Sequence, residues 1–334
     1  MILVTGATGI LGRVIVLELL KKGKKVRAAK RKSSNLEEVK QSFSFYTDNS
    51  DEAFANIEWV DVDFDEISSL TEALKGVEEV YHCAAKVSFH PDERKEIYHT
   101  NINGTKNLLF ACEGSSVKKF CFVSSIAVLD GLNEKGEMDE DSNYNSKIDH
   151  SAYSKSKHFS EMEVWRASAE GLQTVIVNPG MIIGSGNWNQ SSGELFSTLK
   201  KNNFTGKGGT SYVDVRDVAK IAIALMDQNV FGERFILISE NMSYKAFGKM
   251  VRQYFGLKGQ RIFPDWLLTA GRALSFLFGW LIPSLKMANK VNIEAISNFN
   301  KISNEKIKQQ LGYTFIPVEE SVDFHVKNYI NSKK

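Results

Sequence analysis

Near its amino end the chain reads Val4-Thr5-Gly6-Ala7-Thr8-Gly9-Ile10-Leu11-Gly12, three glycines spaced by three between a short apolar run and a helical pattern at Val14, Leu17, Leu19 and Leu20. No other stretch constrains the fold as much. Gly6 permits a tight turn, Gly9 lets backbone approach a pyrophosphate, and Gly12 lets the helix pack close to the sheet, with the helix N-terminal amides facing the phosphates. Spaced glycines alone carry little weight, but a strand before them and a helix after them are the context a dinucleotide site requires. Apolar runs at 2–4, 26–29, 57–62, 80–83, 120–123 and 175–177 alternate with segments of helical spacing. Strand and helix in that rhythm imply parallel strands joined by crossovers, hence an α/β fold built on a doubly wound parallel sheet.

At about 150 residues per domain, 334 residues make two domains or one large domain with a lobe attached. Beyond about residue 184 the rhythm loosens, with Gly, Asn and Ser clustered at 184–193 and 206–209. The expected division is a dinucleotide-binding domain over 1–180 and 211–240, and a smaller C-terminal substrate lobe over 181–210 and 241–334. Helix starts are expected at Ser68, ahead of Thr71 and Glu72, and at Ser151. The polar, acidic stretch 133–145 reads as a solvated loop. Apolar residues at 43% and charged residues at 25% exclude disorder for most of the length. With 42 Lys and Arg against 40 Asp and Glu the net charge is +2, too small to create a general field for nucleic acid or an anionic membrane. Cys83, Cys112 and Cys121 are an odd count without close pairing, which argues against disulfides or structural zinc and fits a reducing cytoplasm. The other acids and histidines show no metal spacing, so no metal is expected. The first apolar residues run straight into the glycines, so no targeting segment is expected before the fold.

The second strand leads into Lys30-Arg31-Lys32-Ser33-Ser34, with no acid before Glu37. An acid about 20 residues past the glycines would suit a free ribose 2′-hydroxyl, whereas a basic residue suits a 2′-phosphate. NADP is therefore favoured over NAD, and Arg31, whose fork can hold a phosphate bidentately, is the candidate contact. A solvated basic turn is the plainer reading. Tyr153 and Lys157, four apart, would share a helix face. A Lys ammonium beside the phenol, together with a positive nicotinamide ring, should lower the Tyr pKa from about 10 toward the working pH and let it act as general acid or base. Such a pair is common on exposed helices, so its neighbours matter: Phe122-Val123-Ser124-Ser125 ends a buried strand at the carboxyl edge, where open α/β sheets hold ligands. Alternation along the strand lets only one of Ser124 and Ser125 face the cleft easily. His82 and Cys121, inside apolar strands, read as core.

In order and spacing, the glycine loop, the serine strand end and the Tyr/Lys pair resemble the extended short-chain dehydrogenase/reductases, the NAD-dependent epimerase/dehydratase superfamily with its Rossmann fold. Further matches are Asp63-Phe64-Asp65, Val80-Tyr81-His82-Cys83-Ala84-Ala85, Asn101-Ile102-Asn103-Gly104-Thr105, Asn178-Pro179-Gly180 and Tyr212-Val213-Asp214-Val215-Arg216-Asp217. The likeness is strong over about residues 1–240 and weak beyond. It implies that Ser125, matched with Val128 as Ser-x-x-Val, bonds the substrate oxygen, that Tyr153 transfers a proton, that Lys157 holds Tyr153 and the nicotinamide ribose, and that Asn101 shapes the helix supporting a proton relay. The cofactor contacts it implies are Gly6, Thr8, Gly9, Ile10, Leu11, Gly12, Arg31, Asp63, Phe64, Ala84, Ala85, Lys86, Tyr153, Lys157, Pro179 and Met181.

Ile126 and Ala127 stand where a dehydratase of this superfamily carries an Asp-Glu pair, which disfavours dehydration. The pattern, including Ala84-Ala85-Lys86-Val87-Ser88-Phe89, looks like the dihydroflavonol-reductase-like and 3β-hydroxysteroid-dehydrogenase-like branches. The expected function is an NADP-dependent oxidoreductase, NAD remaining open, that moves a hydride between the nicotinamide and a carbonyl or secondary alcohol of a mainly apolar small molecule. The alternatives are an NAD-dependent nucleotide-sugar epimerase and a nucleotide-sensing protein without turnover. Thirteen of the twenty residues at 266–285 are apolar, but the charge-free part, 273–285, falls short of the roughly 20 a membrane span needs. Leu267, Ala270, Leu274, Leu277, Phe278 and Leu281 form a helical stripe, and Trp266, Phe276 and Trp280 widen it. It reads as a helix buried between lobe and sheet or at a homodimer contact, or as a cap whose Phe276, Phe278 or Trp280 faces Ser125 and Tyr153, with shallow membrane contact as a variant.

Overall fold

A computed structural model describes the backbone of residues 1–188, 191–278 and 283–333, and their side chains except at 191–192, 276–278 and 283–284. Seven strands form the main sheet: β1 (Ile2–Thr5), β2 (Val26–Lys30), β3 (Glu58–Asp61), β4 (Glu79–His82), β5 (Lys119–Val123), β6 (Gln173–Pro179) and, after three strands outside it, β10 (Glu233–Leu237). Their order is β10-β6-β5-β4-β1-β2-β3, every neighbouring pair being parallel. The reversal of winding lies between β1 and β4, and the ligand crevice of such a sheet opens there, beyond the carboxyl ends of the strands.

Away from the half-exposed edge strand β3, both faces of the sheet are buried, which is why its strands read as apolar runs. Val4, Tyr81, Cys121, Val175 and Val177 point to one face, beneath the helices Ile10–Lys21 and Val215–Asp227. Their strand neighbours Leu3, Val80, Phe120, Phe122 and Ile176 point to the other, against Leu108, Leu109 and Val164 of the helices Gly104–Glu113 and Ala152–Ala169.

β7 (Met181–Ile183), β9 (Gly209–Asp214) and β11 (Glu240–Ser243) make a separate sheet in the order β11-β9-β7, and β8 (Phe204–Thr205) pairs with β12 (Arg261–Ile262). Around them Phe196, Tyr212, Phe247, Val318, Val322 and Val326 form a second core.

One local expectation needs correction. The helix anticipated at Ser68 runs Ile67–Ala73 with Glu66 as its N-cap, which makes no side-chain capping bond. Neighbouring Ser69 instead accepts the Asp63 amide through Oγ at 3.0 Å, so the turn's polar groups secure the preceding loop. The stretch 133–145 is a loop but is tied down: Arg234 donates to the Glu140 and Ser142 carbonyls at 2.7 and 3.0 Å, and the Ile236 amide donates to the Glu140 carboxylate at 2.9 Å.

Candidate active site

The glycine loop turns at Gly6, whose φ of +63° suits glycine; a Cβ there would also lie 2.7 Å from the Ala84 amide nitrogen. A Cβ on Gly12 would lie 2.2 Å from the Gly6 carbonyl oxygen. Both contacts are with backbone, so only the absence of a side chain allows this packing. Gly9 caps the helix Ile10–Lys21 without a side-chain bond, leaving its first amides for an anion. Ile10 and Leu11 bury their side chains, so backbone is what they can present.

Beneath the loop lies a contact that sequence reasoning missed. Arg13, 1% exposed, forms a two-pronged ion pair with Glu38 at 2.8 Å per prong and donates to the Gly9 carbonyl at 3.2 Å and to that of Thr8. Glu38 also accepts the Asn187 amide at 2.6 Å. Burial alone would raise the Glu38 carboxyl, but Arg13 and that amide hold it below its ordinary range. Glycine loop, the helix Leu36–Phe43 and the turn after Gly186 are thus locked together.

In the basic turn Lys30 is paired with Asp61, while the exposed Arg31 side chain has no hydrogen bond or ion pair with a described residue. Asp63 is exposed, and Phe64 is half-buried against Gly104 and 5.8 Å from the His82 ring. Ala84 and Ala85 follow β4 at the same edge, and Pro179 and Met181 bracket the end of β6. Lys86 turns its ammonium to Glu96 at 2.5 Å and Glu93 at 3.6 Å, and its backbone amide and carbonyl are both engaged by Asn101.

A directional chain of polar groups crosses the floor of the site. The Ala84 amide donates to Thr5 Oγ1 at 3.3 Å, and Thr5 Oγ1 lies 2.7 Å from His82 Nδ1. His82 Nε2 lies 3.0 Å from Thr105 Oγ1, which donates to the Asn101 carbonyl at 2.6 Å. Thr105 spends its single proton there, so it accepts from His82; the proton is then on Nε2, and Nδ1 accepts from Thr5. Burial, aided by the Lys157 charge, lowers the His82 pKa to about 3, keeping the ring neutral.

The helix Ala152–Ala169 starts at the expected N-cap, where Ser151 accepts the Ser154 amide at 3.1 Å. Ser154 donates to the Ala127 carbonyl at 2.6 Å, seating the helix against the end of β5. Ser125 accepts the Ala127 amide at 3.1 Å, and the Tyr153 phenol lies against the same serine hydroxyl. Ser124 is 2% exposed and faces the Glu161 carboxyl without a well-formed bond, so the cleft belongs to Ser125. Lys157, 3% exposed, donates to the Val123 carbonyl at 2.6 Å and sits 4.6 Å from the Phe122 ring centre.

Burial raises Tyr153 to about 12 against the opposing bond from Ser125, and lowers Lys157 to about 8. Desolvation disfavours each charged form, and one of the three Lys157 donors goes to the Val123 carbonyl. Asn101 donates to Ser156 Oγ at 2.8 Å and pairs with both backbone groups of Lys86, joining the cofactor edge to the Tyr153 helix. Glu161, one turn beyond Lys157 and 1% exposed, accepts from Asn178 at 2.7 Å and lies 3.6 Å from Arg234. Its spacing of four from Lys157 was the available signal.

Another trio is structural. Ser185 Oγ lies 2.7 Å from His325 Nδ1, and His325 Nε2 lies 3.2 Å from the Asp214 carboxylate. All three are buried to 1% exposure or less, so no substrate reaches them.

At the mouth of the cleft the Phe89 ring meets that of Tyr153 edge-on at 6.0 Å. Asn292 donates to the Phe89 carbonyl at 3.2 Å, Lys286 pairs with Asp92 at 2.6 Å and Lys290 with Asp149 at 3.0 Å. The stretch 286–292 is thereby strapped beside the Tyr153 cleft. The side chains expected to cap it, Phe276, Phe278 and Trp280, lie outside the described residues, as do those of Leu277 and Leu281 in the stripe. The described part of the stripe departs from a buried helix: Leu267 is 37% exposed, Leu274 44% and the adjacent Trp266 70%.

The profile of the NAD dependent epimerase/dehydratase family matches residues 2–237. Sterol demethylase protein B of Methylococcus capsulatus is 31% identical over 243 residues, 72% of this chain and 70% of that protein. A putative dihydroflavonol 4-reductase of Synechocystis is 28% identical over 276 residues, 79% and 75% of the respective chains. The crystal structure of gox2253 superposes with a TM-score of 0.81 at 25% identity, covering 99% of this chain and 98% of that one. The chain therefore belongs to the NAD dependent epimerase/dehydratase family, the extended short-chain dehydrogenase/reductases, and is an NAD(P)-dependent oxidoreductase of that family.

Proposed function

We propose that the protein reduces a ketone, or oxidises the matching secondary alcohol, of a mainly apolar small molecule with NADP as cofactor. The observation that carries this reading is the meeting of Ser125 with a protonated Tyr153 at the carboxyl edge of the sheet, beside the glycine loop. When bound, the nicotinamide supplies or accepts the hydride. The chain's own groups handle the oxygen. Ser125 accepts from the Ala127 amide and keeps its proton to donate to the substrate oxygen. Tyr153, held as the neutral phenol, donates a proton to that oxygen as negative charge develops on it. Lys157 is the cation available to hold the ribose and offset charge on Tyr153.

The residues fit the cofactor. Gly6 and Gly12 leave a cradle that a Cβ would fill, the first helix amides are uncapped, and Arg31 is free of described partners beside them. Arg31 is the proposed 2′-phosphate contact, and segments 181–210 and 241–334 are the proposed substrate side. The names of the relatives, a sterol demethylase component and a dihydroflavonol reductase, support an apolar substrate with an oxygen on a ring. The test is to release and identify any cofactor carried by the purified protein, then compare NADPH with NADH on a panel of cyclic and aryl ketones. Exchangeable NADPH and net ketone reduction are expected. Tightly retained NAD with no net reduction would favour the nucleotide-sugar epimerase.

A further inference from the structure

The helix Asp265–Phe278 directs apolar side chains into solvent. Trp266, Leu267 and Leu274 are 70%, 37% and 44% exposed; Leu267 and Leu274 recur at seven and so share a face, with Trp266 at its edge. The strand pair β8 and β12 leads directly into this helix, adding Phe204 and Ile262, also exposed. Phe204 stacks on Phe263 at 5.4 Å, and Lys207 pairs with Asp265 at 2.9 Å, fixing the strand pair to the helix start. Grouped exposure of large apolar side chains marks an interaction surface.

Charge indicates the partner. Residues 256–292 hold five Lys and Arg against one acid, Asp265, whereas the whole chain carries only +2. Lys207 neutralises that acid, and Lys286 and Lys290 are committed to Asp92 and Asp149. Lys258, Arg261 and Arg272 are exposed and make no ion pair with any described residue. A two-fold contact with a second copy through this face would set like charges together. Anionic headgroups would instead neutralise them while Trp266 and the leucines enter the headgroup boundary. No helix among the described residues is long and apolar enough to cross a membrane.

We propose that Phe204, Ile262, Trp266, Leu267 and Leu274, flanked by Lys258, Arg261 and Arg272, dock the protein on the surface of an anionic lipid bilayer. Docking goes beyond the proposed reaction and does not depend on it. The helix packs on the segment Pro283–Ala288, whose Lys286 is strapped to Asp92 near the Phe89 and Tyr153 rings, so the docked face adjoins the cleft.

The test is co-sedimentation of the full chain with vesicles of phosphatidylcholine alone and of phosphatidylcholine with one third phosphatidylglycerol, with Trp266 fluorescence and solution mass measured alongside. Binding to the anionic vesicles should be at least about tenfold tighter, fall with salt, and weaken about fivefold for each of Arg261→Glu and Arg272→Glu. Trp266→Ser combined with Leu274→Ser should abolish it while circular dichroism and thermal unfolding stay those of the parent, and Trp266→Phe with Leu274→Met should retain it. The proposal is overturned if both vesicle types bind equally or not at all. It is equally overturned if the serine pair binds like the parent, or if the parent is a dimer that the serine pair dissociates.

Discussion

Asn101 donates to Ser156 Oγ at 2.8 Å, and Ser156 in turn donates to the Tyr153 carbonyl at 2.8 Å. The segment after β4 is thus bonded to the turn of helix that carries Tyr153. Asn101 acts here as a positioning residue: its buried amide meets both Lys86 backbone groups and the helix, and its carbonyl closes the polar chain from Thr5 through His82 and Thr105.

Replacing Tyr153 by Phe removes the hydroxyl proposed to donate the proton and leaves the ring against Phe89. Turnover should fall about a hundredfold to ten-thousandfold, the range lost with a placed acid or base. Circular dichroism and NADPH affinity should be unchanged. Steady-state kinetics that keep parent turnover would move the role to another residue.

Arg31→Asp should weaken NADPH binding by about ten- to a hundredfold, the worth of charge-assisted bonds to a phosphate. It should also improve NADH relative to NADPH, because the new carboxylate can accept from a 2′-hydroxyl. Titrating both cofactors by fluorescence checks this. Parent protein that already prefers NADH would show the basic turn to be merely solvated.

Lys157 sits at about 8 because burial disfavours its charge. If the protonated form supports Tyr153, kcat/KM should be level below that pH and decline about tenfold per pH unit well above it. A pH profile of the parent, compared with Lys157→Met, reads this directly; the variant should lose turnover and the inflection together.

His82 titrates at about 3 in the fold and at about 6.5 in the unfolded chain. Its folded pKa is depressed, so the unfolded state binds the extra proton between those values. The contribution is absent above about pH 6.5, and stability then falls on acidification by up to about 1.4 kcal/mol per pH unit until about pH 3. Denaturant unfolding across that range should show a shallower slope in His82→Gln.

What the sequence made legible follows from local physics. Strands β1, β2, β4, β5 and β6 were readable because burial leaves apolar runs, and Tyr153 with Lys157 because four residues is about one helical turn. Contacts that join distant segments were not. Arg13 and Glu38 are 25 apart, and Ser185 and His325 are 140 apart, with nothing local to mark either pair. The stripe at Leu267, Ala270 and Leu274 reads from its period as a helix buried between lobe and sheet, at a subunit contact or over the cleft, since periodicity tells which residues share a face and not what lies opposite it. The depth of Tyr153 and Lys157 was not legible either, because a spacing of four says nothing of how far either group is buried.

The most direct measurement follows the label from NADPH carrying deuterium on the transferred position through incubation with a cyclic ketone. Net cofactor oxidation, matched by one deuterium on the carbinol carbon of the product and lost in Tyr153→Phe, is the result this account predicts. Inversion of a hydroxyl-bearing centre in a nucleotide sugar, with no net cofactor oxidation and no label in the product, would contradict it.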